Sequence, residues 1–212
     1  MERHFLLLDV DDTLYSPACG VVPRVDVLIN RYLVERLGVD PSEVDHVRRS
    51  LWSEYGTTLH GLMHRHDIDP HDYLRFVHTI ELDDVLCDDP ALAGMLGRLP
   101  LLKVAVTNGS LAHARGVLDC LGVRSLFFRV YGLERLALVP KPYVQAYQMV
   151  LADLHTHGRD CIFVDDRPAN LRAARQLGMR TVHVAAGTPA VEADVSIGSV
   201  LELERVVGDL AA

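Results

Sequence analysis

The sequence predicts an α/β protein: a parallel sheet with helices on both faces, and a small helical unit inserted after the first strand. Three observations predict it. Short continuous apolar runs recur at Phe5–Leu8, Lys103–Val106, Cys161–Val164 and Arg180–Val184, each too short for a helix and suited to a strand buried on both faces. Stretches of helical periodicity such as Leu111–Leu121 and Pro142–Leu154 lie between them, and that alternation implies parallel strands joined by crossover helices. The stretch from Ser16 to Asp84 has a different texture, with helical periodicity, many histidines and few β-branched runs.

Taken in order, the run at Phe5–Leu8 is broken by acids, as expected where a buried strand opens at its carboxyl end into a loop. The inserted stretch offers helices at Val25–Leu37, Pro41–Glu54 with Asp40 as N-cap, Thr58–His66, and Pro70–Thr79 with Asp69 as N-cap. An aspartate there accepts from the free N–H groups of the first turn, and a following proline gives up a donor that the helix does not use. Leu121-Gly122-Val123 and Leu177-Gly178-Met179 each put a glycine where a helix should stop before the next strand. Val200–Leu210 reads as a final helix packed on the core. The expected division is a core of residues 1–15 and 85–212 and an inserted unit of residues 16–84, with no internal repeat or low-complexity segment.

Hydrophobic residues make up 49% and charged residues 24% of the 212 positions, the balance of a globular protein with a packed core. A net charge of −8 repels a nucleic-acid polymer over most of the surface. Cys19, Cys87, Cys120 and Cys161 are scattered, with no CxxC pair, and read as free thiols. The opening Met-Glu-Arg-His leads straight into the first apolar run. No signal peptide, no membrane contact and a cytoplasmic location are therefore expected.

Four polar clusters follow the predicted strands: Asp9-Val10-Asp11-Asp12-Thr13, Thr107-Asn108, Lys141 after the loop from Tyr131, and Asp165-Asp166. Ligands bind at the carboxyl ends of strands in an open α/β sheet, so the clusters should converge. In an extended segment Asp9 and Asp11 face one side while Val10 faces the other. Paired buried carboxylates need a cation, and oxygen ligands select a hard one such as Mg2+, which makes an acidic pocket attractive to phosphate. Asp9 is then placed to attack phosphorus, and Asp11 to protonate the leaving alkoxide and later activate water. Thr107 with Asn108 beside it, nearby backbone N–H groups and the Lys141 ammonium are candidates to stabilise the phosphoryl oxygens. Asp166, with Asp165 beside it, is the candidate to complete the metal shell.

In this order the clusters resemble the four motifs of the haloacid dehalogenase superfamily: Asp-x-Asp-x-Thr at Asp9, Asp11 and Thr13, a threonine at Thr107, a lysine at Lys141, and the acidic pair at Asp165 and Asp166. The resemblance spans nearly the whole chain. It implies a Rossmann-like core and Mg2+ bound by the Asp9 side chain, the Asp11 backbone carbonyl and an acid of the last motif. Aligned as Gly-Asp-x-x-x-Asn, that motif puts Asp166 on the ligand position and Asp165 in place of the glycine.

A narrower resemblance rests on Leu14-Tyr15 after the first motif, Glu54-Tyr55-Gly56-Thr57-Thr58 followed by Gly61-Leu62, Thr107-Asn108-Gly109 and Val139-Pro140-Lys141-Pro142. These are similar to the pyrimidine 5'-nucleotidase branch. There the insertion is a cap that closes over the site and helps choose the leaving group, which implies a small phosphorylated metabolite, a nucleoside monophosphate, as partner. Tyr15, Trp52, Tyr55 and Thr58 are the candidate substrate contacts.

Each feature has a plainer alternative. A lone Asp-x-Asp suits a capped turn, Lys141 a solvated surface, Thr107-Asn108 a turn, and Asp165-Asp166 the cap of a helix starting near Pro168. Trp52 and Tyr55 suit a packed helical interior, and Arg48 and Arg49 a charged surface. The histidines His60, His64, His66, His71 and His78 invite a metal-site reading, and His60 and His64 share a helix face. Yet no carboxylate or cysteine completes a set at comparable spacing, and solvated or partly packed imidazoles explain them. Other phosphatases, for example of sugar phosphates, a dehalogenase, a mutase and a non-catalytic phospho-ligand binder of the same fold stay open.

Overall fold

The apolar run that opens the chain forms β1 (Phe5–Leu8), every residue of it buried. A computed structural model, which describes residues 4–185 and 190–211, continues through four helices: α1 (Val21–Leu37), α2 (Val44–Tyr55), α3 (Thr58–Arg65) and α4 (Pro70–Val77). The chain then forms α5 (Pro90–Arg98), β2 (Leu102–Val106), α6 (Leu111–Cys120), β3 (Phe127–Tyr131), α7 (Val144–Asp153), β4 (Cys161–Asp165), α8 (Pro168–Gln176), β5 (Arg180–Val184), β6 (Val195–Ile197) and α9 (Leu203–Ala211). Residues 1–3, 186–189 and 212 of the expected core lie outside the described residues.

Among the described residues the strands make one sheet in the order β3-β2-β1-β4-β5-β6, every pair parallel. The α/β fold read from the alternation is therefore the observed one. β1 is central, with Leu8 opposite Ala105 of β2 and Val164 of β4. The chain winds outward from β1 through β2 to β3, then returns to build β4, β5 and β6 on the other side. That reversal leaves a crevice at the carboxyl ends of β1, β2 and β4.

Alternate residues of β1 feed two cores, because successive side chains of a strand point to opposite faces. Leu6 and Leu8 pack with Ala105, Val164, Val182, and Leu92, Val117 and Leu203 from α5, α6 and α9. Phe5 and Leu7 pack with Val104, Phe163, and Tyr147 and Leu171 from α7 and α8. A third cluster, with Tyr32, Leu33, Leu51, Leu62, Leu74 and Val77, holds α1–α4 together and takes in Leu133 from the segment after β3.

Several boundaries depart from the sequence expectation for local reasons. Asp40 does not cap α2: its carboxylate accepts from the Ser42 N–H at 2.8 Å and the Ser42 hydroxyl at 2.6 Å, closing a turn, so the helix starts at Val44. Asp69 does cap α4, accepting from the His71 N–H at 2.8 Å. α1 begins at Val21, before the expected Val25, and carries Pro23 in its first turn, where no N–H is needed. α7 begins at Val144 because residues 140–143 form a turn closed by the Tyr143 N–H on the Pro140 carbonyl at 3.0 Å. Gly122 and Gly178 end α6 and α8 in the left-handed region, at φ 69° and 81°, which a glycine enters without a Cβ clash. Two strands, β3 and β6, and one helix, α5, add to the predicted elements. Among the described residues no helix is long and apolar enough to cross a membrane, and all four cysteines are free thiols.

Candidate active site

The ladder of β1 runs on to the Asp9 N–H, which donates to the Val164 carbonyl at 2.9 Å. This sets Asp9 at the crevice. Its Oδ1 accepts from Lys141 Nζ at 2.7 Å, and the same ammonium reaches Asp165 Oδ2 at 2.7 Å. Lys141 is wholly buried and does not follow a strand directly. The chain arrives from β3 through a 3-10 turn at Leu133–Leu136 and the turn at 140–143. Asn108 holds it there: its Nδ2 donates to the Lys141 carbonyl and its Oδ1 accepts from the Lys141 N–H, both at 2.8 Å. The Asn108 amide is thus spent on the lysine backbone.

Asp165 and Asp166 divide in their surroundings. Asp165 is completely buried, and both its oxygens are engaged, by Lys141, by the Asn170 amide at 2.9 and 3.0 Å, and by the Arg167 N–H at 2.8 Å. Asn170, the last residue of the Asp-x-x-x-Asn spacing, is steadied in turn by the Tyr147 hydroxyl on its carbonyl at 2.9 Å. Among the described residues the Asp166 carboxylate receives only the Thr13 hydroxyl, at 3.4 Å, while its N–H donates to Thr13 Oγ1 at 3.1 Å. Asp9 Oδ2 shares that one hydroxyl proton, at 3.3 Å, and among the described residues meets no other donor.

One oxygen from each of Asp9, Asp165 and Asp166 lies within 4.8 Å of the others, against a single ammonium. Burial, followed by the charges of Asp165 and Asp166, holds the Asp9 carboxyl well above the usual range despite Lys141. Burial and the charge of Asp165 push Asp166 up to about 6. Under-neutralised, under-bonded carboxylate oxygens of this kind suit a hard divalent cation. The lightly bonded oxygens of Asp9 and Asp166 are the more open to it, while both oxygens of Asp165 already accept hydrogen bonds.

Asp11 is placed differently. Its Oδ1 accepts from the Tyr15 hydroxyl at 2.7 Å and from His113 Nε2 at 2.8 Å, and its Oδ2 from the Thr107 hydroxyl at 3.5 Å. Burial raises its pKa, but the charge and hydrogen bond of His113, the Tyr15 hydroxyl and the charge of His78 outweigh it and bring the carboxyl down to about 2. Asp12 turns the chain with φ 60°, and burial beside Asp11 and Asp26 lifts it to about 6. Thr107 Oγ1 accepts from the Gly109 N–H at 2.9 Å, which fixes the loop before α6.

A cavity of about 510 Å³ lies above this rim, with Asp9, Asp11, Thr107, Asn108, Lys141 and Asp166 in its wall. Residues of the helical insertion complete it, among them Trp52, Thr58 and Arg49. Trp52 is half exposed, and the Arg167 guanidinium lies 4.6 Å from its ring centre, a cation–π contact between α2 and the loop after β4. The expected substrate contacts Tyr15 and Tyr55 are not in this wall. Tyr15 is buried with its hydroxyl on Asp11, and Tyr55 packs under Arg65 and against the His64 ring. His60 and His64 meet at 3.1 Å between their Nε2 atoms. Among the described residues they are not part of a metal-capable group, which the acidic trio is.

The roles of His113, His78 and Arg167 at this site are not given by the motifs, although His78 stands in the histidine group that the sequence shows. His113 and His78 lie in or beside helices, where a histidine carries no mark of which way it faces. Arg167 follows the acidic pair and could be flagged only by that adjacency.

Compared with known proteins, residues 5–178 match the model of the haloacid dehalogenase-like hydrolases. Phosphate metabolism protein 8 of Saccharomyces cerevisiae is 26% identical over 195 residues, covering 84% of this chain and 60% of its own length, so the chain spans less than two thirds of that relative. Among solved structures, a HAD phosphatase from Thermococcus onnurineus superposes with a TM-score of 0.64 at 17% identity, over 98% of each chain. The L-2-haloacid dehalogenase of Xanthobacter autotrophicus, with chloropropionic acid covalently bound, gives 0.62 at 16% identity over 97% of this chain and 98% of that one.

Proposed function

The chain belongs to the haloacid dehalogenase-like hydrolases, and from that premise we propose that it is a magnesium-dependent phosphatase of small phosphorylated metabolites, a nucleotidase acting on pyrimidine nucleoside 5'-monophosphates. The observation that carries the reading is the split among the rim carboxylates. Asp9 and Asp166 each keep an oxygen open and under-neutralised, while Asp11 is fully supplied with donors on Oδ1. A displacement at carbon expels a halide, which needs no proton, and leaves such an Asp11 without a task.

In the proposed reaction a carboxylate oxygen of Asp9 forms a bond to phosphorus as the ester P–O bond breaks. Asp11, having taken up a proton from solvent as the phosphoryl charge arrives beside it, gives that proton to the departing oxygen. Water then attacks the aspartyl-phosphate, Asp11 takes its proton, and inorganic phosphate leaves. Lys141 offsets charge on Asp9 and on the phosphoryl group, and the Thr107 hydroxyl donates to a phosphoryl oxygen. Asn108 acts by holding Lys141 in register. Asp9, Asp166 and the Asp11 backbone carbonyl would hold Mg2+, whose charge balances the acidic rim and the phosphate when bound.

We read residues 1–15 and 85–212 as the core and residues 16–84 as its cap, with Trp52 and Thr58 facing the leaving group. Trp52 offers a flat face to a base. The name of the yeast relative, a phosphate metabolism protein, and the phosphatase from Thermococcus onnurineus agree with phosphate chemistry. The test is phosphate release with Mg2+ across nucleoside monophosphates, sugar phosphates and simple organophosphates. Turnover favouring UMP or CMP over the purine counterparts is expected. Indifference to the base removes the nucleotidase assignment, and full activity in Asp9→Asn removes the mechanism.

A further inference from the structure

An acid that serves a leaving group must be aimed as well as protonated, and the structure around Asp11 is built to aim it. Its two short hydrogen bonds, from Tyr15 and His113, both fall on Oδ1, which pins that oxygen and leaves Oδ2 the lightly engaged one. His113 is buried, and because a carboxylate only accepts, Nε2 carries the proton of that bond. Among the described residues its Nδ1 has no partner, and its side-chain hydrogen bonding there goes to Asp11.

The position of His113 is fixed from two sides. Its own N–H donates to Ser110 Oγ at 3.1 Å, the cap of α6. Its ring stacks on that of His78, with centroids 4.5 Å apart and planes at 29°. His78 ends α4, and its Nδ1 donates to the Leu74 carbonyl at 2.9 Å, which fixes that ring as well. A run of contacts thus joins the last helix of the insertion to the carboxylate beside Thr107.

On the phosphatase reading, we propose that His113, braced by His78, is a positioning residue that aims Asp11 at the oxygen of the leaving group. His113 hydrogen-bonds Asp11 and not the nucleophile Asp9, so its loss impairs proton delivery and spares the attack by Asp9. Esters then respond according to how much their leaving group needs a proton: an alkoxide needs one, and a nitrophenolate does not.

The experiment compares kcat/KM for an alkyl phosphate monoester with that for p-nitrophenyl phosphate, in the wild type, His113→Ala, His113→Gln and His78→Ala. The ratio of the two constants in one preparation cancels the fraction of folded enzyme, so a partly unfolded variant still reports. His113→Ala is expected to lower the alkyl-to-aryl ratio by about tenfold or more, part of the ~10²–10⁴ that general acid catalysis supplies. His113→Gln, which keeps an amide donor, should recover part of it, and His78→Ala should move it the same way by less. An unchanged ratio in His113→Ala overturns the inference while the phosphatase reading stands, and an unchanged ratio in His78→Ala overturns the brace. Absence of phosphate release from both esters by the wild type overturns the phosphatase reading and this inference together.

Discussion

Replacing Asp166 by asparagine should make the metal-free protein more stable, although it removes a proposed metal ligand. Burial and the charge of Asp165 lift the Asp166 carboxyl from 3.8 to about 6, so at pH 7 its ionised form opposes folding. Two units correspond to about 3 kcal/mol at 1.36 kcal/mol per unit. The asparagine amide still sits in a site whose one side-chain donor is the Thr13 hydroxyl at 3.4 Å, and its own unmet hydrogen bonds take back about 1–2 kcal/mol. A net gain of about 1–2 kcal/mol remains, roughly 2–8 °C in Tm for a chain of this size. Urea unfolding at pH 7 with a chelator present measures it. The sign with pH follows from the same shift. Between about 6 and 3.8 folded Asp166 binds a proton that the unfolded chain releases, so the wild type gains stability as pH falls through this window, and the advantage of Asp166→Asn shrinks and then reverses. Added Mg2+ should raise the wild-type midpoint and leave that of Asp166→Asn in place. A metal-free Asp166→Asn protein less stable than the wild type at pH 7 would refute the reasoning.

Asp165→Asn should act with the opposite sign: it strips the buried Lys141 of a partner held at 2.7 Å, and the loss should reach about 3–5 kcal/mol by urea unfolding. Equal stability to the wild type would show that Asp165 is not the anchor of the lysine. Trp52→Ala removes an exposed ring in the cavity wall and its contact with Arg167. It should raise KM for the preferred nucleotide by about tenfold, roughly 1.4 kcal/mol, with kcat changed less than about twofold. Loss confined to kcat would place the ring elsewhere in the cycle.

How much of this was legible depends on what surrounds each residue. β1 and β4 are buried along their whole length, so their apolar runs are continuous and their limits stand out, while β5 is buried from Thr181 on although Thr181 and His183 interrupt its apolar residues. β3 lies at one edge of the sheet, where Phe128 is half exposed and Arg129 follows it, and β6 is three residues long at the other. Neither leaves a run to read. α5 is a different case: Asp89 caps it on the Leu92 N–H at 2.9 Å with Pro90 behind, the same signature as Asp69-Pro70, so the chain did carry the signal. At the site, the motif acids, Thr107 and Lys141 are legible as polar residues in sequence positions that otherwise bury apolar ones. Which oxygen of which aspartate is saturated is not, because that depends on Arg167 and Asn170 at the start of α8 and on Thr13 from the loop after β1.

The low value of Asp11 bears on where the first step of the proposed reaction is limited. Held at about 2, its carboxyl is ionised at neutral pH before substrate arrives, whereas Asp9 and Asp166 are held high. A cation is therefore drawn to the Asp9–Asp166 side, where it relieves like-charge repulsion, and not to Asp11, whose charge is already met by donors. The phosphoryl group then enters between a cation-rich wall and a carboxylate. Its negative charge, arriving beside Asp11, raises the proton affinity of that carboxylate, and the alkoxide forming on the leaving oxygen is a far stronger base than any carboxylate. Asp11 must therefore take up a proton as the phosphoryl charge arrives, and transfer from the loaded acid to that oxygen is then downhill once the two are aligned. Loading and alignment are both required; Tyr15 and His113 supply the alignment through Oδ1, and the response of poor leaving groups to a change at His113 measures it.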